Sequence, residues 1–259
     1  MSIAICTVAI MPLRVSSDDR SEMVSQVLFG ESMEVLELMS NWALVRLSYD
    51  KYEGWVDPKQ FSIIDDTEID MLDSAKMHFS TDVVQLLNYK ENKKNPPLVL
   101  GSSLPNLHNS KLAIAGTDYS YKGNSIISSV LPNREAIIEN AYKYINAPYL
   151  WGGKTPFGVD CSGLTQMVYK ISGIKLQRDA SQQATQGETI NFINDALEGD
   201  LAFFDNEEGN IMHVGIILGN NTIMHASGKV RIDKIDHQGI FNVEIQKYTH
   251  KLRLIKTWF

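Results

Sequence analysis

Asp160-Cys161-Ser162-Gly163 places a cysteine where a glycine-rich loop turns into a helix. Asp160 is a good N-cap, which leaves Cys161 in the first helical turn. The unpaired backbone N–H groups and the helix dipole of that turn favour a thiolate over a thiol, so Cys161 is a candidate nucleophile. Apolar residues then recur at i, i+3, i+4 and i+7, which predicts an amphipathic helix that Gly173 can end. These apolar residues are Leu164, Met167, Val168 and Ile171.

Two histidines could supply the base that a nucleophilic cysteine needs. His213 and His225 lie in strand-like runs on either side of Gly219-Asn220-Asn221, which is strong hairpin-turn chemistry. An odd-length loop centred on Gly219 would set the two rings opposite each other on one face, whereas a strict two-residue loop would turn one of them away. One imidazole could then take the thiol proton while the other orients it. The alternative is that the cysteine is a buried apolar residue and each histidine is structural.

Six sequence motifs follow one another in the C-terminal half of the chain. They are Pro148-Tyr149-Leu150-Trp151-Gly152-Gly153, Asp160-Cys161-Ser162-Gly163-Leu164, Arg178-Asp179-Ala180-Ser181-Gln182-Gln183, Gly199-Asp200-Leu201-Ala202-Phe203-Phe204, His213-Val214-Gly215-Ile216 and His225-Ala226-Ser227. In this order they resemble the NlpC family of papain-like bacterial cell-wall cysteine peptidases. The resemblance implies an α+β fold, in which the helix that carries the cysteine packs on an antiparallel sheet that carries the histidines.

The same resemblance implies a role for each of the central residues. Cys161 would be the nucleophile, His213 the general base and His225 the polar third member. Tyr149 would help to hold the oxyanion near the Cys161 backbone N–H. These implied roles agree with the chemistry that the residues themselves suggest.

The composition is that of an ordinary globular protein. With 259 residues, of which 44% are hydrophobic and 21% charged, the chain can bury a sizeable core in one to three domains. The formal net charge of −7 and the lack of a Lys/Arg run argue against a nucleic-acid partner. Two cysteines offer no disulfide framework, and Cys6 lies in an apolar run typical of a packed strand. The cysteines and histidines lack zinc-finger spacing, and we expect no metal or organic cofactor.

The first residues do not have the pattern of a secretory signal. Residues 1–12 are apolar, but the first basic residue is Arg14, whereas a signal peptide begins with positive charge. The run is also short for a membrane span. We therefore expect a cytoplasmic protein without a membrane partner if Met1 is the native start, and an exported protein if the sequence has been trimmed.

The sequence predicts three regions. Residues 1–62 carry strand-like runs at 3–10, 27–29, 33–38, 42–47 and 54–56, and they resemble a bacterial SH3-like barrel in the motifs Leu28-Phe29-Gly30-Glu31 and Tyr52-Glu53-Gly54-Trp55-Val56. Residues 63–130 are interpreted as a linker helix, with Ile69, Leu72 and Ala75-Lys76 near helical spacing, and a candidate second, degenerate SH3-like domain. Residues 131–259 form the NlpC-type peptidase domain. It opens at Pro132-Asn133 with a predicted helix whose apolar stripe is Ile138, Ala141, Tyr142 and Ile145.

The resemblance also implies a substrate. Relatives with this SH3-like arrangement, of the dipeptidyl-peptidase VI type, cleave γ-D-glutamyl bonds to a diamino acid in peptides with a free N-terminal L-alanine. An acidic residue and a tyrosine of the first SH3-like domain lie beside the substrate amine, and by motif position these are Glu31 and Tyr52. The alternative is that Glu31 is a solvated turn residue, that Tyr52 packs the barrel, and that the SH3-like domains bind cell wall.

Further substrate-binding candidates flank the nucleophile or lie in the loops beside it. They are Trp151, Asp160, Ser162, Asp179 and Ser181. Ala180 departs from relatives that carry a hydroxyl at this position.

The sequence therefore predicts a cytoplasmic γ-D-glutamyl-L-diamino-acid endopeptidase. Its partner would be a murein-derived peptide such as L-Ala-γ-D-Glu-diamino acid, met during recycling of cell-wall peptides. Two alternatives stay open. The Cys–His machinery could instead serve an N-acetylmuramoyl-L-alanine amidase or another acyl transferase, or the chain could be a non-catalytic peptidoglycan-binding protein.

Overall fold

A computed structural model describes residues 2–74, 77–89 and 96–259 of the chain. The chain divides into two compact units, an N-terminal unit (Met1–Val130) and a C-terminal unit (Leu131–Phe259). Across the described residues, every helix is too short or too polar to cross a lipid bilayer.

The first half of the N-terminal unit is an antiparallel sheet of seven strands. Their order in the sheet is β3-β2-β6-β5-β4-β1-β7. The strands are β1 Ser2–Cys6, β2 Ile10–Arg14, β3 Met23–Leu28, β4 Ser32–Leu38, β5 Ala43–Leu47, β6 Glu53–Val56 and β7 Phe61–Ile63. The alternation of buried and partly buried residues in β5 shows why these segments form strands, since every second side chain enters one core.

The predicted strand at 3–10 is two strands in the structure. β1 pairs with β4 and β7, whereas β2 pairs with β3 and β6, so the chain must turn between Cys6 and Ile10. The turn at Leu28-Phe29-Gly30-Glu31 follows the prediction. Gly30 has φ +76°, and a Cβ there would lie 2.0 Å from the carbonyl oxygen of Ser103, so glycine is required.

The second half of the N-terminal unit contains one helix and eight short strands within the described residues. They are α1 Asp66–Ser74, β8 His78–Ser80, β9 Val84–Leu86, β10 Asn88–Tyr89, β11 Pro97–Val99, β12 Ser103–Leu104, β13 Lys111–Ile114, β14 Thr117–Ser120 and β15 Ser125–Ile127. The strands form small sheets, β10-β14-β13, β11-β9 and β12-β8-β15, rather than one barrel-like sheet. Ile69 and Leu72 lie in α1 as predicted, and Ala75 and Lys76 lie outside the described residues.

This second half shares a core with the seven-stranded sheet. Ile5 and Phe29 pack in one buried cluster with Leu87, Leu98 and Leu104. Strands of two to four residues enclose little apolar surface of their own, so they depend on that shared core for burial.

The C-terminal unit is built on a closed barrel of six antiparallel strands. The sheet runs β18-β24-β19-β20-β21-β22-β23, and β23 pairs back onto β24. Its elements are α2 Arg134–Tyr142, β16 Lys154–Thr155, β17 Gly158–Val159, α3 Cys161–Lys170, α4 Ala180–Gln183, β18 Glu188–Ile190, β19 Leu201–Asp205, β20 Ile211–Gly219, β21 Thr222–Ser227, β22 Lys229–Ile235, β23 Gly239–Asn242 and β24 Lys247–Thr257. α3 packs on β20 and β21, the two strands that carry His213 and His225.

Two helices differ in detail from their predictions. α2 begins as expected, because the side chain of Asn133 caps it by accepting the Ala136 N–H at 2.8 Å. Its buried face, however, is Ile137, Asn140 and Ala141, whereas the predicted Tyr142 is exposed. α3 is buried on all sides rather than amphipathic, since every residue from Cys161 to Lys170 is buried.

Candidate active site

The sulfur of Cys161 is held at the first turn of α3. The side chain of Asp160 caps the helix, accepting the Gly163 N–H at 2.6 Å. Cys161 is 8% exposed, and the backbone N–H groups of Val214 and Ser162 face its sulfur. Val214 directly follows His213, so β20 brings the residue next to the predicted base against the predicted nucleophile.

Cys161 is a thiol, not a thiolate, in this environment. Burial and the nearby Asp160 carboxylate raise the pKa of the Cys161 thiol to about 12, against the opposing effect of the facing N–H groups and Arg178. The expectation of a thiolate from the helix start was wrong, because burial and the Asp160 carboxylate outweigh the facing N–H groups and Arg178. A neutral thiol needs a general base to remove its proton during attack.

Arg178 forms a buried ion pair with Asp160 next to the nucleophile. Its Nη2 donates to Asp160 Oδ2 at 2.6 Å, and its Nη1 donates to Asp160 Oδ1 at 3.1 Å and to the Ser162 hydroxyl at 2.9 Å. Asp160 Oδ2 also accepts the Gly152 N–H at 2.8 Å. The network fixes the loop before the cysteine, and the predicted contacts of Asp160 and Ser162 with substrate stay predictions.

His213 and His225 are on one face of the barrel wall, but they are not opposite each other. His225 pairs with Gly215, so the hairpin is centred one residue later than predicted. The cause is the turn, in which Gly219, Asn220 and Asn221 all have positive φ and a bulge follows Ile217. His213 Nε2 nevertheless lies 2.8 Å from His225 Nδ1, a diagonal contact between neighbouring strands.

Asp233 extends the two histidines to a chain of three residues, and the sequence did not predict it. Its Oδ2 lies 3.0 Å from His225 Nε2, and its side chain is 1% exposed. Arg231 donates to both oxygens, Nε to Oδ2 at 2.7 Å and Nη2 to Oδ1 at 3.0 Å. Burial alone would raise the pKa of Asp233, but the hydrogen bonds from His225 and Arg231 outweigh it and hold that pKa below its usual value.

A third ring, His250 on β24, stacks on His213. Their centroids are 4.2 Å apart and their planes differ by 23°. Burial lowers the pKa of His250 to about 4. Burial also lowers the pKa of His213 well below its usual value, with the neighbouring His250 and His225 adding to the effect. Both rings are therefore neutral at pH 7, so His213 can accept a proton.

The three histidines are the metal-ligand candidates among the described residues. Their nitrogens lie within 4.8 Å of one another. A metal ion lies in the plane of each imidazole that binds it, with zinc–nitrogen bonds of about 2.0–2.1 Å. The rings of His213 and His250 are stacked, so one ion cannot lie in both ring planes at that bond length from both nitrogens. The cluster therefore suits proton transfer better than metal binding.

Tyr149 and Trp151 lie in the loop that runs beside the cysteine. The Tyr149 N–H donates to Gly228 O at 3.0 Å, which anchors the loop next to β21. Burial, with the nearby Cys161 and Asp160, raises the pKa of Tyr149 to about 12, so its phenol keeps the proton that an oxyanion could accept in a hydrogen bond. Trp151 is 57% exposed. The catalytic role of Tyr149 and the substrate role of Trp151 stay predictions.

The loop after Arg178 forms the short helix α4. Asp179 is its N-cap, and the Asp179 N–H donates to Gln182 Oε1 at 3.0 Å. Ser181 is exposed and Ala180 is buried. Gln183 ties α4 to the cysteine helix by donating to Ser162 O at 3.0 Å. The structure thus assigns Asp179 a capping position, and substrate contact by Asp179 or Ser181 stays a prediction.

Glu31 and Tyr52 lie in the N-terminal unit. Glu31 is 6% exposed, and its Oε2 accepts the Leu28 N–H at 2.8 Å, so it closes the turn and is not a solvated surface residue. Tyr52 packs against the apolar cluster of the seven-stranded sheet, and its N–H donates to Asp50 Oδ1 at 3.0 Å. Their proposed contact with a substrate amine stays a prediction.

Known families match both units. The NlpC/P60 family profile matches residues 146–250, and the profile of the bacterial dipeptidyl-peptidase SH3 domain matches residues 13–61. The chain is 28% identical over 245 residues to dipeptidyl-peptidase 6 of Lysinibacillus sphaericus, covering 85% of this chain and 87% of that protein. It is 30% identical over 220 residues to the gamma-D-glutamyl-L-lysine dipeptidyl-peptidase of Bacillus subtilis, covering 78% and 71%.

A solved structure has the same fold. The crystal structure of an NlpC/P60 family protein from Bacillus cereus aligns with a TM-score of 0.85 over 99% of both chains, at 19% identity. At 19% identity this match shows the shared fold alone. The similarity in sequence is to the two relatives above.

Proposed function

The chain belongs to the NlpC/P60 family and is a peptidase, and on this premise we propose that it is a cysteine peptidase that hydrolyses the γ-D-glutamyl bond to a diamino acid in murein-derived peptides. One observation supports the cysteine mechanism most. The Cys161 sulfur faces the Val214 N–H, and the preceding residue, His213, is a buried neutral imidazole hydrogen-bonded to His225.

In the proposed first step, the thiol proton passes to His213 as the Cys161 sulfur attacks the γ-carbonyl carbon. The tetrahedral oxyanion is stabilised by the unpaired Cys161 N–H at the helix start and by the Tyr149 hydroxyl. His213 then protonates the departing amine of the diamino acid, which leaves a thioester on Cys161. Water, deprotonated by His213, hydrolyses the thioester and releases the L-Ala-D-Glu dipeptide.

The names of the relatives support this bond. Two relatives are named gamma-D-glutamyl-L-lysine dipeptidyl-peptidases and one is named dipeptidyl-peptidase 6. A dipeptidyl-peptidase removes a two-residue unit from a free amino end. The proposed substrate is accordingly a short peptide, L-Ala-γ-D-Glu-diamino acid, with an unblocked L-alanine.

Mass spectrometry of products tests the proposal. The protein would be incubated with L-Ala-γ-D-Glu-L-Lys, its meso-diaminopimelate counterpart, their N-acetylated analogues and a muropeptide, with Cys161→Ala as control. We expect L-Ala-D-Glu from a free tripeptide and no turnover by the variant, which lacks an attacking group. Cleavage of the muropeptide between N-acetylmuramic acid and L-alanine would show an amidase instead. Binding to peptidoglycan without any product would show a non-catalytic protein.

The selection of a free amine is tested at Glu31. A carboxylate that pairs with a substrate ammonium loses its partner when the amine is acetylated, and unpaired buried charge discriminates strongly. Glu31→Gln keeps an acceptor for the Leu28 N–H but removes the charge. It should reduce the ratio of kcat/KM for the free tripeptide to kcat/KM for the acetylated tripeptide. The control Glu53→Gln, at a surface ion pair with Arg46, should leave this ratio unchanged. An unchanged preference in Glu31→Gln would remove Glu31 from the proposal.

A peptidase limited to free peptides suits recycling inside the cell, because intact wall ties that amine in an amide. The predicted cytoplasmic location is part of this proposal. Fractionation of source cells with detection of the protein would test it, and recovery from the culture medium would contradict it.

A further inference from the structure

We propose that Asp233 is a positioning residue that sets the tautomers of both active-site histidines, so that His213 presents an unprotonated Nδ1 to the nucleophile. The inference rests on the proposed roles of Cys161 and His213. It concerns a residue that neither the motifs nor the comparisons assign.

Asp233 and His225 are in direct contact. An ionised carboxylate can only accept hydrogen bonds, and Asp233 Oδ2 lies 3.0 Å from His225 Nε2. His225 Nε2 must therefore carry a hydrogen. Both side chains are 1% exposed, so water cannot substitute for either partner.

The charge of His225 depends on how Arg231 binds Asp233. A carboxylate beside a buried imidazole would normally favour the imidazolium, in which both nitrogens donate. Here Arg231 binds both oxygens of Asp233, at 2.7 Å and 3.0 Å, and neutralises that charge. The carboxylate can then orient the ring without protonating it. A neutral His225 with hydrogen on Nε2 leaves Nδ1 as an acceptor.

The tautomer of His225 determines the tautomer of His213, the proposed base. His225 Nδ1 lies 2.8 Å from His213 Nε2, and since Nδ1 is the acceptor, His213 Nε2 must be the donor. A neutral His213 with hydrogen on Nε2 has its lone pair on Nδ1. That nitrogen is the one left to take the thiol proton, and the direction of every hydrogen bond in the chain follows from the carboxylate.

The surroundings of the rings agree with neutral histidines. The titratable and charged side chains around His225 are His213 on β20, Asp233 and Arg231 on β22, and His250 on β24. His250 stacks on His213 and is itself neutral near pH 7, since burial holds its pKa near 4. Glu244 binds Arg231 at 3.1 Å from a mostly exposed position, outside the chain of rings.

Asp233→Asn is the decisive substitution. An amide has one acceptor oxygen for the three donors that meet the carboxylate, Arg231 Nε, Arg231 Nη2 and His225 Nε2, so it no longer fixes the hydrogen on His225 Nε2. His225 can then carry its hydrogen on Nδ1, which forces His213 to carry its hydrogen on its own Nδ1. We expect kcat to fall by ~10²–10⁴-fold, with little change in KM, because the geometry survives while the tautomer is wrong.

One control separates this effect from a structural one. Asp236→Asn removes another carboxylate of the same barrel, one that binds the Tyr248 hydroxyl, and it should keep kcat near that of the unmodified protein. Full activity in a folded Asp233→Asn protein would overturn the proposal.

Nitrogen-15 NMR of the histidine rings reads the tautomers directly, even if Asp233→Asn fails to fold. In the unmodified protein we expect Nε2–H on both His213 and His225, and observation of Nδ1–H on His213 would overturn the proposal. Because this measurement does not depend on turnover, it remains valid if the protein does not cleave the proposed peptide. A failure of the tautomer proposal is thereby distinguished from a failure of the proposed function.

Discussion

Arg178 and Asp160 meet at the start of α3 as a bidentate ion pair whose side chains are 1% and 7% exposed. A buried pair of this kind adds little net stability compared with apolar residues, but the loss of one partner leaves the other as an uncompensated charge. Both residues lie in the motifs of the C-terminal half, but the motifs by themselves give Arg178 no role. The sequence alone could not show that it reaches back to Asp160.

Arg178→Met should destabilise the protein by ~3–5 kcal/mol, because the Asp160 carboxylate would stay buried without its cation. The measurement is the free energy of unfolding in urea. Arg178→Lys, which keeps the charge but loses the two-pronged contact, is the matched control and should cost less. A loss of under ~1 kcal/mol in Arg178→Met would contradict the account.

Arg231→Met should move the acidic limb of the kcat profile to higher pH. Without Arg231 the charge of Asp233 is not compensated, so it favours a protonated His225. A protonated His225 donates from Nδ1, which forces His213 into the inactive tautomer at acidic pH. Glu244→Gln, which removes only the outer contact of Arg231, should leave the limb in place. An unmoved limb in Arg231→Met would argue that Arg231 does not compensate Asp233.

Asp233 shows why part of the site was hidden in the sequence. In Lys229-Val230-Arg231-Ile232-Asp233 the alternation predicts that Arg231 and Asp233 face solvent and that Ile232 faces the core. The structure has the reverse at the last two positions, with Asp233 4% exposed and Ile232 38% exposed. Asp233 is buried because it binds His225 on the neighbouring strand β21, and the pattern of β22 alone does not show that partner.

At the level of elements, α3 is shaped by its contact with the loop before it. Gly163 is in the first turn, and a Cβ at that position would lie 2.1 Å from the carbonyl oxygen of Gly153. Close approach therefore requires a glycine in a helix, where helix propensity would favour alanine. The contact also explains why the loop can reach the cysteine.

Gly163→Ala should destabilise the protein by ~1–3 kcal/mol, although alanine for glycine in a helix normally stabilises by about 1 kcal/mol. The clash is with backbone, so α3 or the loop must move, and activity should fall as well. Glu139→Ala, at an exposed position of α2, should change the free energy of unfolding by less than ~0.5 kcal/mol. A stabilised Gly163→Ala protein would show that the approach is looser than the structure has it.

The hairpin of β20 and β21 shows how far local rules carry. Turn chemistry correctly predicted a hairpin at Gly219-Asn220-Asn221 and placed both histidines on one face. The register was wrong, because three consecutive positive φ values and a bulge move the centre of pairing by one residue, so that His225 pairs with Gly215, two residues from the predicted partner His213. Turn type depends on the backbone of the whole hairpin, which residue preference alone does not determine.

For the whole molecule, ordered motifs predicted the family and the mixed α and β fold, but not the closure of the barrel. Closure depends on β23 returning to β24, a pairing of residues close in sequence whose geometry is set by the tilt of all six strands. His213, His225 and Asp233 on three strands of the barrel are buried, and Phe204 of the apolar cluster of the barrel packs against His213. The burial that lowers the pKa of His213 and of His250 is therefore a property of the assembled barrel.

Burial of neutral histidines should make the protein less stable as the pH falls from about 6.5 toward 4. The pKa of His250 is near 4 in the folded protein, and that of His213 is also well below the unfolded value of about 6.5. Below pH 6.5 these histidines bind protons in the unfolded chain but stay neutral in the folded chain. The free energy of unfolding therefore decreases with falling pH. The measurement is the unfolding midpoint in urea between pH 7.5 and pH 5, above the range in which carboxylates titrate.

His250→Phe keeps a stacked ring without a titrating nitrogen and should weaken this pH dependence of stability. Thr249→Val removes only the hydroxyl 2.8 Å from His250 Nδ1 and should keep the pH dependence. An equal pH dependence in His250→Phe would show that His250 is not held neutral by the fold.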